Sequence, residues 1–209
     1  MIHVVVCDDH ALLRRGIRET LAVASDIRIS AEAESYGDVQ DVLRTQQCDV
    51  LLLDLVLPGR SGLEVLTELT ESRSPIRTLV LSMHSADPYA LHSLRAGALG
   101  FLSKSGDPEQ LAPAIRMVAQ GRKYVTPEVA LMLADNVSRP PSEVAHASLS
   151  ARELQTLIKI ASGMRLAEIA EELTLSPKTV SVYRARVLEK LRLPSNAALT
   201  VYAIRNKLV

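Results

Sequence analysis

Through roughly the first 120 residues, short aliphatic runs alternate with longer amphipathic segments. The runs are Ile2 to Cys7, Ile27 to Ala33, Cys48 to Asp54, Ile76 to Met83 and Ala98 to Ser103. Val50-Leu51-Leu52-Leu53 is apolar without a break, the pattern of a strand covered on both faces. Between the runs, Leu12 to Ala24, Asp38 to Thr45, Gly62 to Glu71, Tyr89 to Ala96 and Glu109 to Gln120 repeat apolar residues at helical spacing. Ser61-Gly62-Leu63-Glu64 and Asp107-Pro108-Glu109-Gln110 fit capping boxes, and Gly97 and Gly121 stand where helices should stop. Five strands alternating with five helices predict an α/β unit, a (βα)5 doubly wound parallel sheet. In such sheets function gathers at the carboxyl ends of the strands.

The pattern then changes. Thr126-Pro127-Glu128 starts a short helix running to about Asn136, and Ser138-Arg139-Pro140-Pro141-Ser142 has no periodicity and reads as a linker. The remainder is all-α. Ser150-Ala151-Arg152-Glu153 is a third capping box, with Leu149 and Leu154 placed to staple it, and that helix ends near Gly163. A second helix covers about Leu166 to Leu173, and the turn Thr174-Leu175-Ser176 leads into Pro177, so Ser176 caps a third helix reaching Leu191. A fourth runs from Ser195 to Arg205. The expected layout is an α/β domain over 1–121, a linker with a short helix over 122–148, and a four-helix domain with a helix-turn-helix over 149–209.

Charge separates the same pieces. The net charge of zero hides 12 Lys and Arg against 16 Asp and Glu over residues 1–122, and 10 against 5 over 149–209. An acidic first part and a basic last part suggest different partners, the second a polyanion. No apolar run reaches the ~18 residues of a membrane span, and Met1-Ile2-His3-Val4 enters a strand without the basic and apolar regions of a signal peptide. Cys7 and Cys48 lie in apolar runs without paired spacing, as expected of buried thiols in a reducing cytoplasm.

The chemistry collects at strand ends. Asp8 and Asp9 follow the first strand, Asp54 closes the third, Ser82 the fourth, and Lys104 follows the fifth. Parallel topology brings the first and third strand ends side by side, and carboxylates so close repel unless a cation sits among them. Oxygen ligands point to a hard ion such as Mg²⁺. A carboxylate can accept a phosphoryl group, and an ammonium with Mg²⁺ can neutralise the charge on its oxygens. His10 follows the acidic pair. His84 reads either as a modulator of phosphate lifetime or as a solvated loop histidine, and the five histidines show no metal-ligand spacing.

Together, Asp8-Asp9, Asp54 within Leu53-Asp54-Leu55-Val56-Leu57-Pro58-Gly59, Ser82, and Gly97-Ala98-Leu99-Gly100-Phe101-Leu102-Ser103-Lys104 resemble the receiver domain of two-component response regulators. The resemblance implies that a histidine kinase phosphorylates Asp54. It implies that Asp9, Asp54 and the Val56 carbonyl bind Mg²⁺, with Asp8 acting largely through water. Lys104 would contact the phosphoryl group, and Ser82 and Phe101 would form a switch pair.

In the basic region, Val180, Val187, Leu188 and Leu191 form an inward stripe on the third helix, leaving Lys178, Thr179, Ser181, Val182, Arg184 and Arg186 for phosphates and base edges. Leu149-Ser150-Ala151-Arg152-Glu153, Glu168-Ile169-Ala170, Leu173, Leu175-Ser176, Lys178-Thr179-Val180 and Lys190-Leu191 resemble the output domain of the NarL/FixJ (LuxR-type) family. Ser181 and Tyr183 replace the usual Lys and His. The resemblance implies double-stranded DNA as target and a homodimer, formed on phosphorylation or on DNA, in which the fourth helix (Ala198, Leu199, Val201, Tyr202) takes part. Two rivals remain at this point. An aspartate-nucleophile phosphatase typically carries a second acid where Val56 stands, and a phosphorylation-independent adaptor would not require a complete acidic pocket.

Overall fold

The computed structural model describes residues 1–57, 60–83, 89–138, 145–206 and 208–209. Pro58, Gly59, His84 and the proline-bearing stretch 139–142 lie outside the described residues. The chain divides into two compact units, Met1–Met132 and Leu133–Val209.

The first unit runs β1 (Ile2–Cys7), α1 (Ala11–Leu21), β2 (Ile27–Ala33), α2 (Tyr36–Thr45), β3 (Val50–Asp54), α3 (Gly62–Glu71), β4 (Arg77–Ser82), α4 (Tyr89–Arg95), β5 (Gly100–Ser103), α5 (Leu111–Ala119) and β6 (Tyr124–Val125), and the boundary with the second falls within α6 (Pro127–Ser138). All strand pairs are parallel, in the order β2-β1-β3-β4-β5-β6. The sequence pattern leads to five strands. The sixth pairs Gly100 with Tyr124 and Phe101 with Val125, so part of the expected linker belongs to the sheet. Three expected strands begin later than their apolar runs, at Val50, Arg77 and Gly100.

Alternation along the strands fixes the core. Val4, Val6, Val50, Leu52, Leu79, Leu81 and Leu102 pack with Ile17 and Leu21 of α1 and Leu111, Ala114, Ile115 and Val118 of α5. The alternate positions Val5, Leu51, Leu53, Val80 and Phe101 are fully buried toward the opposite face of the sheet. Each such aliphatic side chain contributes roughly 1.5–3 kcal/mol by leaving water. Five consecutive buried residues of β3 therefore hold Asp54 at a fixed height.

The strand order reverses beside β1, and there α3 makes its close approach. Ser61 Oγ accepts from the Leu63 N–H, Glu64 Oε2 accepts from the Ser61 N–H at 2.9 Å, and the Gly62 N–H donates to the Leu55 carbonyl at 3.0 Å. A Cβ on Gly62 would lie 2.0 Å from the Asp54 carbonyl oxygen, so only glycine lets α3 start against the end of β3. The Asp107 box expected for α5 instead caps a short 3-10 turn, Pro108–Gln110, from which α5 continues.

In the second unit α7 (Ala151–Ala161), α8 (Leu166–Glu172), α9 (Pro177–Leu191) and α10 (Asn196–Arg205) enclose Leu149, Leu154, Leu157, Ile160, Ile169, Val180, Val187 and Leu199. Ser150 and Glu153 complete the capping box of α7, and Lys190 of α9 pairs with Glu153 Oε2 at 2.7 Å. The Ser176 side chain caps α9 through the Thr179 N–H. The turn between α8 and α9 places Thr174 at φ 55, held by the Leu175 N–H on the Ala170 carbonyl at 2.8 Å. Among the described residues no helix is long and apolar enough to cross a membrane.

Candidate functional site

At the carboxyl ends of β1 and β3 the sheet brings together Asp8, Asp9 and Asp54. Asp8 is fully buried and Asp54 nearly so, while Asp9 faces outward. Lys104, just past β5, spans the two buried acids: its Nζ lies 2.7 Å from Asp8 Oδ2 and 2.6 Å from Asp54 Oδ2. Among the described residues that ammonium is the only partner of either oxygen. The other Asp54 oxygen accepts from the Val56 N–H at 3.1 Å, which ties the half-exposed start of the β3–α3 loop to the carboxylate.

Burial holds the Asp54 carboxyl above its usual range, more strongly than the Lys104 charge draws it down. Burial alone would lower Lys104, but Asp54 and Asp8 overcome it and raise its affinity for the proton. One ammonium therefore faces two buried carboxylates, leaving an excess of negative charge that a further cation can neutralise. Asp8, Asp9, His10 and Asp54 each offer one ligand atom within 4.8 Å of the others. Sequence spacing did not point to His10. The structure places its ring Nδ1 2.7 Å from Asp9 Oδ1 and 3.2 Å from Asp8 Oδ1, and its backbone N–H donates to Asp8 Oδ1 at 2.8 Å. Its adjacency to the acidic pair was the one available signal.

Ser82 and Phe101 end up on neighbouring strands, both buried, Phe101 completely. Cys7 lies under the pocket, where burial and then the charge of Asp54 push its thiol up to about 12, the behaviour of an inert core thiol. Cys48 is only half-buried, contrary to expectation, although burial also lifts it to about 12.

On α9 the residues proposed for DNA contact divide. Lys178, Ser181, Val182 and Arg186 are exposed, whereas Thr179 is half-buried with Oγ1 2.8 Å from Ser176 Oγ. Arg184 is half-buried too, and its Nε donates to Asn196 Oδ1 at 2.5 Å, tying α9 to the start of α10. The inward stripe is narrower than expected, since Leu188 is only partly covered.

Comparison with known proteins agrees with this geometry. Residues 4–116 match the response regulator receiver domain, and residues 147–203 match the luxR family of bacterial regulatory proteins. The response regulator UvrY of Escherichia coli (strain K12) is 38% identical over 209 residues, covering 100% of this chain and 96% of its own. The response regulator GacA of Pseudomonas aeruginosa is 36% identical, covering 100% of this chain and 98% of its own. RcsB from Salmonella enterica serovar Typhimurium, solved bound to promoter P1flhDC in the presence of phosphomimetic BeF3-, superposes with a TM-score of 0.69 at 25% identity, covering 96% of this chain and 97% of that one. The chain belongs to the two-component response regulators, with a receiver domain followed by a luxR-type DNA-binding domain, and is by family a transcription regulator rather than an enzyme.

Proposed function

We propose that a histidine kinase phosphorylates Asp54 and that the chain then binds double-stranded DNA as a homodimer to regulate transcription, acting in the cytoplasm where its DNA is. The observation that carries this reading is the convergence of Asp8 and Asp54 on one buried ammonium, Lys104, with Asp9 beside them. Two buried carboxylate oxygens facing that single positive group, within a mainly oxygen donor set, suit a hard divalent ion. Asp9, Asp54 and the Val56 carbonyl would hold Mg²⁺, with Asp8 acting through water. When bound, the ion supplies positive charge to the oxygens of the transferring group.

The Asp54 carboxylate is the nucleophile: its oxygen forms the new O–P bond as the N–P bond of a phosphohistidine breaks. Lys104 is already within ion-pair range of that carboxylate and stays beside the charged product. The added group brings roughly 1.5–2 negative charges, if it behaves like other phosphoryl modifications. Ser82 and Phe101 then act as a switch, the hydroxyl moving toward the phosphoryl group and the ring following, which biases a receiver with two conformations. Lys178, Thr179, Ser181, Val182, Arg184 and Arg186 mark the face of α9 that enters the major groove. The two recognition helices of the dimer are expected about one DNA turn apart, ~10 bp centre to centre. The relative RcsB, solved on a promoter with a phosphomimetic, supports both halves of this reading.

Incubation with a small phosphodonor and Mg²⁺ tests it. Wild type is expected to form an aspartyl phosphate and shift promoter DNA more strongly, and Asp54→Asn to do neither while keeping its circular dichroism. Continued labelling of that variant at another residue refutes the assignment.

A further inference from the structure

Asp8 and Asp9 lie in the short turn between β1 and α1, where no ladder holds the chain on both sides. Arg14, one turn into α1, supplies the missing constraint. Its guanidinium is buried and meets three acceptors at once. Nη1 donates to the Asp8 carbonyl at 2.7 Å, Nε donates to Glu32 Oε2 at 3.0 Å, and Nη2 donates to Glu34 Oε1. The two glutamates come from the end of β2 and the residue after it, so the arginine spans α1, β2 and the acid-bearing turn. The Asp8 carbonyl belongs to the peptide that joins Asp8 to Asp9, and its direction sets where the Asp9 carboxylate leaves the backbone. The other end of the same segment is fixed by the Asp8 N–H on the Ala33 carbonyl at 3.1 Å. A planar fork of donors can hold such an arrangement where a single ammonium cannot.

We infer that Arg14 is a positioning residue for the divalent-cation site: it orients the Asp8–Asp9 peptide from outside the pocket and thereby sets how tightly the acids bind Mg²⁺. This rests on the reading that those acids hold the ion. Two simpler roles make different predictions. A mere fold-stabilising contact would alter melting and leave Mg²⁺ affinity unchanged. A mere background charge would repel the ion, so its removal would tighten binding. Positioning alone predicts weaker binding when a positive charge is taken away.

Isothermal titration of the full-length chain with Mg²⁺ separates these roles, with melting followed by circular dichroism. In Arg14→Met, Glu32 keeps its pairing with Arg18 and Glu34 is largely solvated, so the variant is expected to fold. Its Mg²⁺ dissociation constant should rise roughly tenfold or more, the range seen when residues that orient metal ligands are removed. Arg14→Lys keeps the charge, but its single nitrogen cannot reach acceptors that wild type meets with three separate guanidinium nitrogens, and it should bind more weakly than wild type as well. If Arg14→Met fails to fold, Arg14→Lys carries the test. Equal or tighter binding by a folded variant overturns the positioning role and leaves the metal reading intact. Absence of Mg²⁺ binding by wild type overturns the metal reading and this inference with it.

Discussion

Consider a methyl group added at the start of α3. In Gly62→Ala the new Cβ would fall 2.0 Å from the Asp54 carbonyl oxygen, 2.9 Å from Leu55 Cα and 3.0 Å from the Asp54 carbonyl carbon. All three neighbours are backbone, and contacts under 3.0 Å essentially never occur, so strand and helix must part by about 1 Å. β3 is buried along its whole length and cannot give, which leaves the first turn of α3 to move. That movement strains the Gly62 N–H···Leu55 bond of 3.0 Å and the Ser61 Oγ–H···Leu55 bond of 3.3 Å. Overpacking costs about 1–3 kcal/mol and the weakened bonds about 1 kcal/mol more, so a loss of roughly 2–4 kcal/mol is expected. For a unit ending at Met132, unfolding entropy near 0.28 kcal/mol/K converts this to a melting temperature lower by roughly 7–14 °C. Because Asp54 and Val56 flank the disturbed contact, phosphorylation should also slow by up to about 10²-fold, the effect of a misplacement of this size. Calorimetry of the full chain, following the transition that Mg²⁺ shifts, and phosphorylation by a small donor would measure both. A variant that melts and phosphorylates like wild type would refute the argument that glycine is required there.

Lys104→Met leaves Asp8 and Asp54 buried without their counter-charge, and at neutral pH without Mg²⁺ it should lose about 3–5 kcal/mol of stability. Burial holds Asp54 above its unfolded pKa, and without Lys104 to oppose this the folded state binds more protons, so stability should recover as pH falls toward the ordinary carboxylate range or as Mg²⁺ is added. Denaturant titrations across pH check the sign. Arg116 bonds both oxygens of Asp26 at 2.7 Å and holds its carboxyl near 2 from an ordinary 3.8. The pair's contribution should be present above about pH 4 and lost as pH falls through 2, and Arg116→Ala should remove that acid-dependent loss from the melting profile. On DNA, Lys178→Ala and Arg186→Ala should each reduce the logarithmic salt slope by about 0.9, as expected for one phosphate contact. Arg184→Ala, whose side chain is engaged with Asn196, should change the slope less and lower the melting temperature instead.

What the sequence disclosed was whatever repeats or caps locally. β1, β2, α3 and α9 begin and end where their apolar spacing, Ser61 and Ser176 place them. The pocket was legible because strand ends in a parallel sheet converge wherever the turns happen to lead, so Asp8, Asp54 and Lys104 could be joined without knowing a distance. Other features left no local trace. β6 is two residues long, too short to show a period, and forms only because β5 offers an open edge. The glutamate partners of Arg14 lie 18 and 20 positions away, and Arg184 resembled any other charge on a helix face until Asn196, 12 residues on, folded beside it. Contacts set by the packing of separate elements have no signature in either element alone.

The short strand β6 changes the standing of Phe101. Because Val125 is registered directly against Phe101, the aromatic ring sits on an interior strand of the sheet, with a covered flank on each side. From Val125 the chain passes through one residue into α6. On the proposal that Phe101 moves on phosphorylation, a displacement of β5 would reach β6, and so the start of α6, through the backbone pairing of the two strands. The edge strand would then stand between the proposed switch and α6, with Thr126 alone separating the sheet from that helix.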